Sequence, residues 1–524
     1  MSAVARRTSA LLKILATAAL LFALLIYILY AANLMNFPFD YDHGEGLEVQ
    51  ASVMFSRGEL PYRDVEVYPF YASPYAPLFH IMAAPFARVF GPAYWYGRLL
   101  GFLGSLVCAA AIAYAVYRDG KRNRWIAILS GLAFLSSNFV YHIGPLYRQH
   151  MMMVTLETIA IVLLAGAFPR RDRRGIAVAL FLLICAGYTK QLAAISAIAA
   201  IIWMTLRSPR RAIAWTLAFA LAGSAIFAWL TLVSGGQWWI HAIVANVRVF
   251  ILEQATGLVL LWFKLHGFLL IPAILLLIYE TYIERLSLYS IWFVAAALLG
   301  GVGSGLWGAG DSYLVTSLSS MCILSGILFS RMTAGALTLP RILPFPKASA
   351  AAVLLIPLLY IGYARATLKM PTDGVFASIA SLLAVEGNVR ETFYDSATFS
   401  VGGYARIGYF LTEADLRAGY EIVDRIKQTA APTMSEDFGF PIVAERDAVT
   451  NATQLRILHL VGLFEGDTLI GMIEGQDFGL VILRALFYPP PVLEALGRFY
   501  EHQESVHMNG FDYLILYPKD LDSN

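Results

Sequence analysis

The sequence predicts a polytopic α-helical membrane protein of about eleven transmembrane helices, carrying a small C-terminal soluble α/β domain. Three observations predict it. Of 524 residues, 59% are hydrophobic and 14% charged, where soluble domains have about 45–50% and about 25%. The apolar residues fall in runs of membrane-crossing length. The charge is also divided: residues 1–365 hold 27 Lys+Arg against 14 Asp+Glu, and residues 366–524 hold 11 against 22. Two differently solvated regions, 1–365 and 366–524, are therefore expected. Cys108, Cys185 and Cys322 all lie in apolar runs, which argues against a disulfide framework.

The first run, "LLKILATAALLFALLIYILYAANL" (11–34), is longer than a signal-peptide core and lacks a small-residue cleavage site, so it reads as a retained helix. Further runs lie near 94–117, 125–143, 150–168, 175–189, 191–206, 212–233, 259–279, 286–304, 312–330 and 348–364. The pair at 175–206 also reads as one broken element. Basic clusters precede the first run and follow alternate later ones: "RDGKRNR" (118–124), "RRDRR" (170–174), "RSPRR" (207–211) and the Arg331–Lys347 connection. The positive-inside rule assigns these to the cytoplasm. The 34–93 loop, the turns near 144–150 and 190, the 234–258 loop, the 305–311 turn and all of 366–524 are then extracytoplasmic, in a plasma or inner membrane.

A loop of about sixty residues at 34–93 has the length of a functional element. Within it, 46–58 and 74–91 show helical spacing and each closes on a glycine, which places both in the membrane interface. Asp40, Asp42, His43, Glu45 and Glu48 gather ahead of the first of them. Such carboxylates serve as general bases or bind a divalent cation, and "DYD" gives Asp40 and Asp42 the spacing of a metal pair. The plainer alternative is a set of charges stabilising a helix start. Clustering in a long amphipathic loop favours function.

Asp42-x-x-Glu45, "FSRGELPYRD" (55–64), "YASPYAPLFH" (71–80) and "FGPAYWYGRLLGFLGSL" (90–106) together resemble the opening of GT-C glycosyltransferases. The resemblance is to the branch containing protein O-mannosyltransferases and the lipid A aminoarabinose transferase. It implies an inverting membrane enzyme that takes a sugar from a polyprenyl-phosphate donor to an extracytoplasmic acceptor. Asp42 takes the position of the family's base and Glu45 that of its second acid. "GAGDSYLV" (308–315) resembles a further motif and adds Asp311 and Tyr313. Asp40, His43, Tyr62, Arg63, Asp64 and His150 complete the candidate pocket. Two departures stand out. "DHGE" separates acids that the family often keeps adjacent, and "YPFYASPYAP" lacks the lysine of the aminoarabinose branch. A phosphate-binding cation must come from elsewhere: Arg148 and Lys190 first, then Arg248 and Lys264. Trp238, Trp239 and Trp307 read as interface-belt residues.

No organic cofactor is implied, and a divalent metal stays open at Asp40 and Asp42. The expected partners are the lipid-linked donor, membrane lipids and the acceptor, with no nucleic acid. A transporter binding a coupling cation is the alternative, although its acids belong mid-span. A non-catalytic subunit of envelope assembly is a third reading. In the C-terminal region, 413–430 and 489–503 read as helices, "PTMSEDFGFPIVA" (432–444) as turn and strand, and "FDYLILYP" (511–518) as a strand.

Overall fold

The computed structural model describes residues 3–246, 248–337, 348–385 and 410–520. The 338–347 part of the basic connection, and 386–409 and 521–524 of the C-terminal region, lie outside the described residues.

Each of the eleven apolar runs is helical. In order, α1 is Ala3–Met35, α2 Glu45–Ser56, α3 Leu78–Phe90, α4 Trp95–Asp119, α5 Arg124–Ser136, α6 Asn138–Ile143, α7 Gln149–Arg170 and α8 Arg173–Thr189. They are followed by α9 (Ala194–Arg207), α10 (Pro209–Val233), α11 (Gln237–Ala242), α12 (Leu252–Tyr282), α13 (Leu288–Gly303), α14 (Val315–Thr333) and α15 (Ala348–Thr367). Among the described residues, six helical stretches are long and apolar enough to cross a membrane: α1, α4, α7, α10, α12 and Asp311–Thr333, which contains α14. The chain is a membrane protein. Backbone breaks shorten the helices of the runs at 125–143 and 175–206. At Ser137 the chain is extended (φ −64°, ψ 133°) and the hydroxyl caps a new helix by accepting from Phe139 N. Lys190 is likewise extended (φ −156°, ψ 135°) between α8 and the turn that leads into α9.

Within the bundle, α14 is central and α10 peripheral. Of their apolar windows, 89% and 6% are buried. Leu217, Leu221 and Trp229 of α10 consequently present an apolar face outward, as a lipid-facing helix does.

Pro38 follows the last turn of α1, where its missing N–H ends the ladder. Gly44 starts α2 from a left-handed backbone (φ 92°), a conformation that favours glycine. The sequence places α2 in the membrane interface. Instead it is buried on almost every side, including Glu45, Leu47, Val49, Ala51 and Met54. The C-terminal domain covers it: a Cβ on Gly46 would lie 2.6 Å from Phe438 Cβ and 2.8 Å from the Tyr94 hydroxyl. Helix α3 does keep exposed apolar residues, Ile81, Val89 and Phe90.

The C-terminal region forms a four-stranded mixed sheet of order β1-β2-β4-β3, from β1 (Thr433–Ser435), β2 (Leu480–Leu483), β3 (Tyr500–Met508) and β4 (Phe511–Pro518). β1 and β2 are parallel; the other neighbours are antiparallel. The helix expected over 489–503 ends at Phe499, and Tyr500 begins β3. The overlooked signal is Asn509-Gly510, with φ of 52° and 74°. That pair makes the tight hairpin turn that fixes β3 against β4. In the 432–444 stretch, β1 is followed by a short helix, Gly439–Val443.

Hydrogen bonds seat this domain on the first loop, among them three from its main chain and asparagine side chains. Asn509 Nδ2 donates to Tyr41 O (2.8 Å), Asn451 Nδ2 to Ala72 O (2.9 Å), and Gly439 N to Asp40 Oδ2 (2.8 Å).

Candidate active site

A cavity of about 400 Å³ opens where the first loop, the α6–α7 turn, Lys190, the segments before and after α12–α13 and the C-terminal domain converge. Asp42 is its acid. Both guanidinium bonds from Arg148 fall on one oxygen, Oδ2, from Nε at 3.1 Å and Nη2 at 2.8 Å. Oδ1 has no hydrogen-bond partner among the described residues. Arg148 also donates through Nη2 to His43 O. Gly44 permits this approach, since a Cβ there would stand 3.0 Å from Arg148 Nη1.

Lys190 reaches the same cavity, against His150 and over the rings of Tyr75 (5.6 Å) and Tyr313 (5.4 Å). Burial, then the charges of Arg148 and Arg248, hold its ammonium well below the ordinary lysine range. Arg248 is the third cation, donating to Asn246 Oδ1 (3.1 Å) and Trp307 O (3.4 Å), with Nε unpartnered among the described residues. Asp311 and Tyr313 line the wall, as does His142, whose Nδ1 lies 3.4 Å from Asp311 Oδ2. From the C-terminal domain come Asn451, Thr453, Gln454 and Ile457.

His43 lines the cavity with both ring nitrogens engaged by that domain, Nδ1 at 3.0 Å from Asp437 Oδ1 and Nε2 at 2.8 Å from Thr453 Oγ1. Asp437 also accepts from Arg484 (2.9 Å) and the Tyr513 hydroxyl (2.8 Å). Burial alone would raise its pKa, but Arg484 and His43 hold it below the usual carboxylate range.

No family model matches the sequence, and no curated protein does. The fold does have relatives. ArnT from Cupriavidus metallidurans superposes in its apo state with a TM-score of 0.57 at 14% identity, and bound to undecaprenyl phosphate with 0.58 at 15%. Each alignment covers 95% of this chain and 97% of that one. The chain has the GT-C fold.

Several residues expected in the GT-C pocket stand elsewhere. Glu45 is fully buried on Arg98, accepting from Nε (3.0 Å) and Nη2 (2.8 Å), and also from Tyr41 N, Asp42 N and Tyr147 N. It braces the loop that carries Asp42 and does not line the cavity. Arg98 in turn donates to the carbonyls of Leu34, Phe37 and Phe39. Sequence reasoning missed it, although an arginine early in an apolar run carries that signal.

Asp40 accepts from Gly46 N (2.6 Å), the Tyr94 hydroxyl (2.8 Å) and Gly439 N, so both its oxygens are engaged, Oδ2 by the C-terminal domain. Burial, then the charge of Asp437, push its carboxyl up to about 7, against the donors from Gly46 and Tyr94. Asp40 and Asp42 thus hold different partners, and no group of three potential metal ligands forms among the described residues. Tyr62 packs on Trp238 and donates to Tyr75 O, Arg63 pairs with Glu59, and Asp64 accepts from Glu66 N; all three lie off the cavity. Lys264 is exposed on α12. Of the expected belt tryptophans, Trp239 is exposed, Trp238 is buried and Trp307 is a buried wall of the cavity.

Proposed function

We propose that the chain is an inverting membrane glycosyltransferase that uses a polyprenyl-phosphate sugar donor and an extracytoplasmic acceptor. One observation carries the reading: Asp42, with an oxygen that has no hydrogen-bond partner among the described residues, lines one cavity with three cations, Arg148, Lys190 and Arg248, in a chain of the GT-C fold. The similar ArnT structure bound to undecaprenyl phosphate supports the donor class.

In this reading Asp42 Oδ1 accepts the proton of an acceptor hydroxyl or amine as that atom attacks the anomeric carbon. The bond from carbon to phosphate oxygen breaks on the opposite face. Charge growing on the leaving polyprenyl phosphate falls on Arg148, Lys190 and Arg248, preorganised around one cavity. The aromatic faces of Tyr75, Tyr313 and Trp307 suit the apolar face of a sugar ring. The C-terminal domain, 366–524, supplies one wall and bears on the acceptor. Glu45 acts through the main chain of Asp42.

The direct test reconstitutes the purified protein in nanodiscs with undecaprenyl phosphate and with lipid-linked sugars extracted from the host membrane. Binding of the phosphate, and its release from the lipid-linked sugar detected by mass spectrometry, are expected. Neither binding nor release would overturn the reading.

Lys190 gives a quantitative check. Its charge is disfavoured in the empty cavity, and an arriving phosphate restores it. Binding is then linked to proton uptake, and the affinity for undecaprenyl phosphate falls as pH rises through the window between the free and bound pKa values. Lys190→Gln reduces the pH slope to that of the phosphate's own ionisation and weakens binding by about 10-fold or more, the worth of one charge-assisted hydrogen bond of about 1.5–3 kcal/mol. An unchanged slope in Lys190→Gln, by titration calorimetry in buffers of different ionisation enthalpy, refutes this role.

The orientation follows from the basic loops. With eleven spans, the loop at 34–93 and the C-terminal domain share the extracytoplasmic side. In a background lacking Cys108, Cys185 and Cys322, an impermeant maleimide on intact cells is expected to label both Ser56→Cys and Ser505→Cys. Labelling of the first alone would detach the C-terminal domain from the site, and protection of both would reject an external enzyme.

A further inference from the structure

Below Asp42 sits a second acid for which the mechanism above has no use. Glu48, in the first turn of α2, is fully buried. Its Oε2 is held by His80 Nε2 of α3. Its Oε1 has no hydrogen-bond partner among the described residues, yet it lies 3.8 Å from Arg148 Nη1. An unsatisfied buried carboxylate oxygen is costly, and here the nearest cation is one whose other edge is committed to Asp42. The guanidinium thus lies between two carboxylates, with Nε and Nη2 on Asp42 and Nη1 turned to Glu48.

That arrangement bears on a conflict in the proposed chemistry. The Nε and Nη2 edge of Arg148 is spent on Asp42 Oδ2, and the same edge cannot at once bind a phosphate oxygen. Arg148 must therefore give up Oδ2 to meet the leaving phosphate, and it must stay in place as it does so.

We propose that Glu48, braced by His80, is a positioning residue that holds Arg148 by its Nη1 edge while the Nε and Nη2 edge passes from Asp42 to the donor phosphate. The inference rests on the transferase reading and goes beyond it in giving a role to Glu48 and His80. Glu48 touches no substrate. Its charge draws the Nη1 edge away from Asp42, and its fixed place on α2 sets the pivot.

Glu48→Gln keeps the shape and removes the charge. Loss of a buried negative charge does not disfavour an incoming phosphate, so the affinity for undecaprenyl phosphate is expected to hold or tighten. The hand-over is needed as charge grows on the leaving phosphate, so kcat is expected to fall by about 10-fold, a split that damage to the site as a whole would not give. The cycle with Arg148→Lys makes the test specific. An ammonium is a single point and cannot span two carboxylates, so in that background Glu48→Gln should change kcat by less than about 2-fold. An equal loss in both backgrounds, or a loss of affinity parallel to the loss of kcat, overturns the proposal.

Should Glu48→Gln not be recovered folded, Glu48→Asp keeps the charge but draws it away from Arg148. It is expected to show the same split, and wild-type kcat in that variant overturns the proposal. Failure of the underlying reading is seen separately, as a wild-type protein that neither binds undecaprenyl phosphate nor releases it from lipid-linked sugar; the hand-over then falls with it.

Discussion

Asp42→Asn is expected to lower kcat by about 10²–10⁴-fold, the range a positioned general base contributes, while the protein still inserts and melts close to wild type. The structure gives the reason for the small effect on stability. Asparagine keeps an oxygen at the position of Oδ2, so Arg148 retains an acceptor there, and Nη1 still faces Glu48. The cost is that of weakening the two charge-assisted bonds on that oxygen, about 1–2 kcal/mol. Near-full turnover by purified Asp42→Asn with a polyprenyl-phosphate sugar would remove Asp42 from the chemistry. Asp40→Asn is expected to do the reverse. It replaces an acceptor of three hydrogen bonds by a group that must point an NH2 at one of the donors from Gly46, Tyr94 or Gly439. Its effect should therefore appear in the melting temperature, with residual turnover in the fraction that folds. Activity is expected to survive EDTA, because Asp40 and Asp42 are bonded to separate partners. Complete loss on chelation, restored by Mg²⁺ or Mn²⁺, would reinstate a metal at "DYD".

The largest effect on stability is expected at Glu45 and Arg98. Both side chains are fully buried, and removing one partner of a buried pair costs about 3–5 kcal/mol because the other charge is left uncompensated. Glu45→Gln and Arg98→Leu should each reduce the folded yield in membranes and lower the melting temperature in detergent sharply. An ordinary buried ion pair can be replaced by two apolar residues at little cost. Here the double variant Glu45→Leu/Arg98→Leu should remain as unstable as either single one. The pair also serves six main-chain groups, the carbonyls of Leu34, Phe37 and Phe39 and the N–H groups of Tyr41, Asp42 and Tyr147. Leucine satisfies none of them, and each buried orphan costs about 1–3 kcal/mol. A double variant that melts near wild type would show that the loop is held by other contacts. It would also free Glu45 for a role closer to the chemistry.

What the sequence determined by itself is what short-range physics encodes. Every apolar run became a helix because a helix in lipid satisfies its own backbone from residues four apart. Pro38 marked the end of α1, and the acidic 40–48 stretch marked the region of the cavity. The Asn509-Gly510 turn was equally local, and was legible once the alternation around it was read as strand. The tertiary structure decided which of four similar acids does what. Asp40, Asp42, Glu45 and Glu48 have the same chemistry in one dimension, and their partners come from far along the chain: Gly439 for Asp40, Arg148 for Asp42, Arg98 for Glu45 and His80 for Glu48. The gathering of Lys190 and Arg248 beside Arg148, and the entry of Asn451 and Thr453 into the same wall, are likewise contacts between distant segments. A carboxylate's role follows from the cation or donor that burial forces upon it. That pairing is set by how helices and sheet pack, which no local spacing of residues specifies.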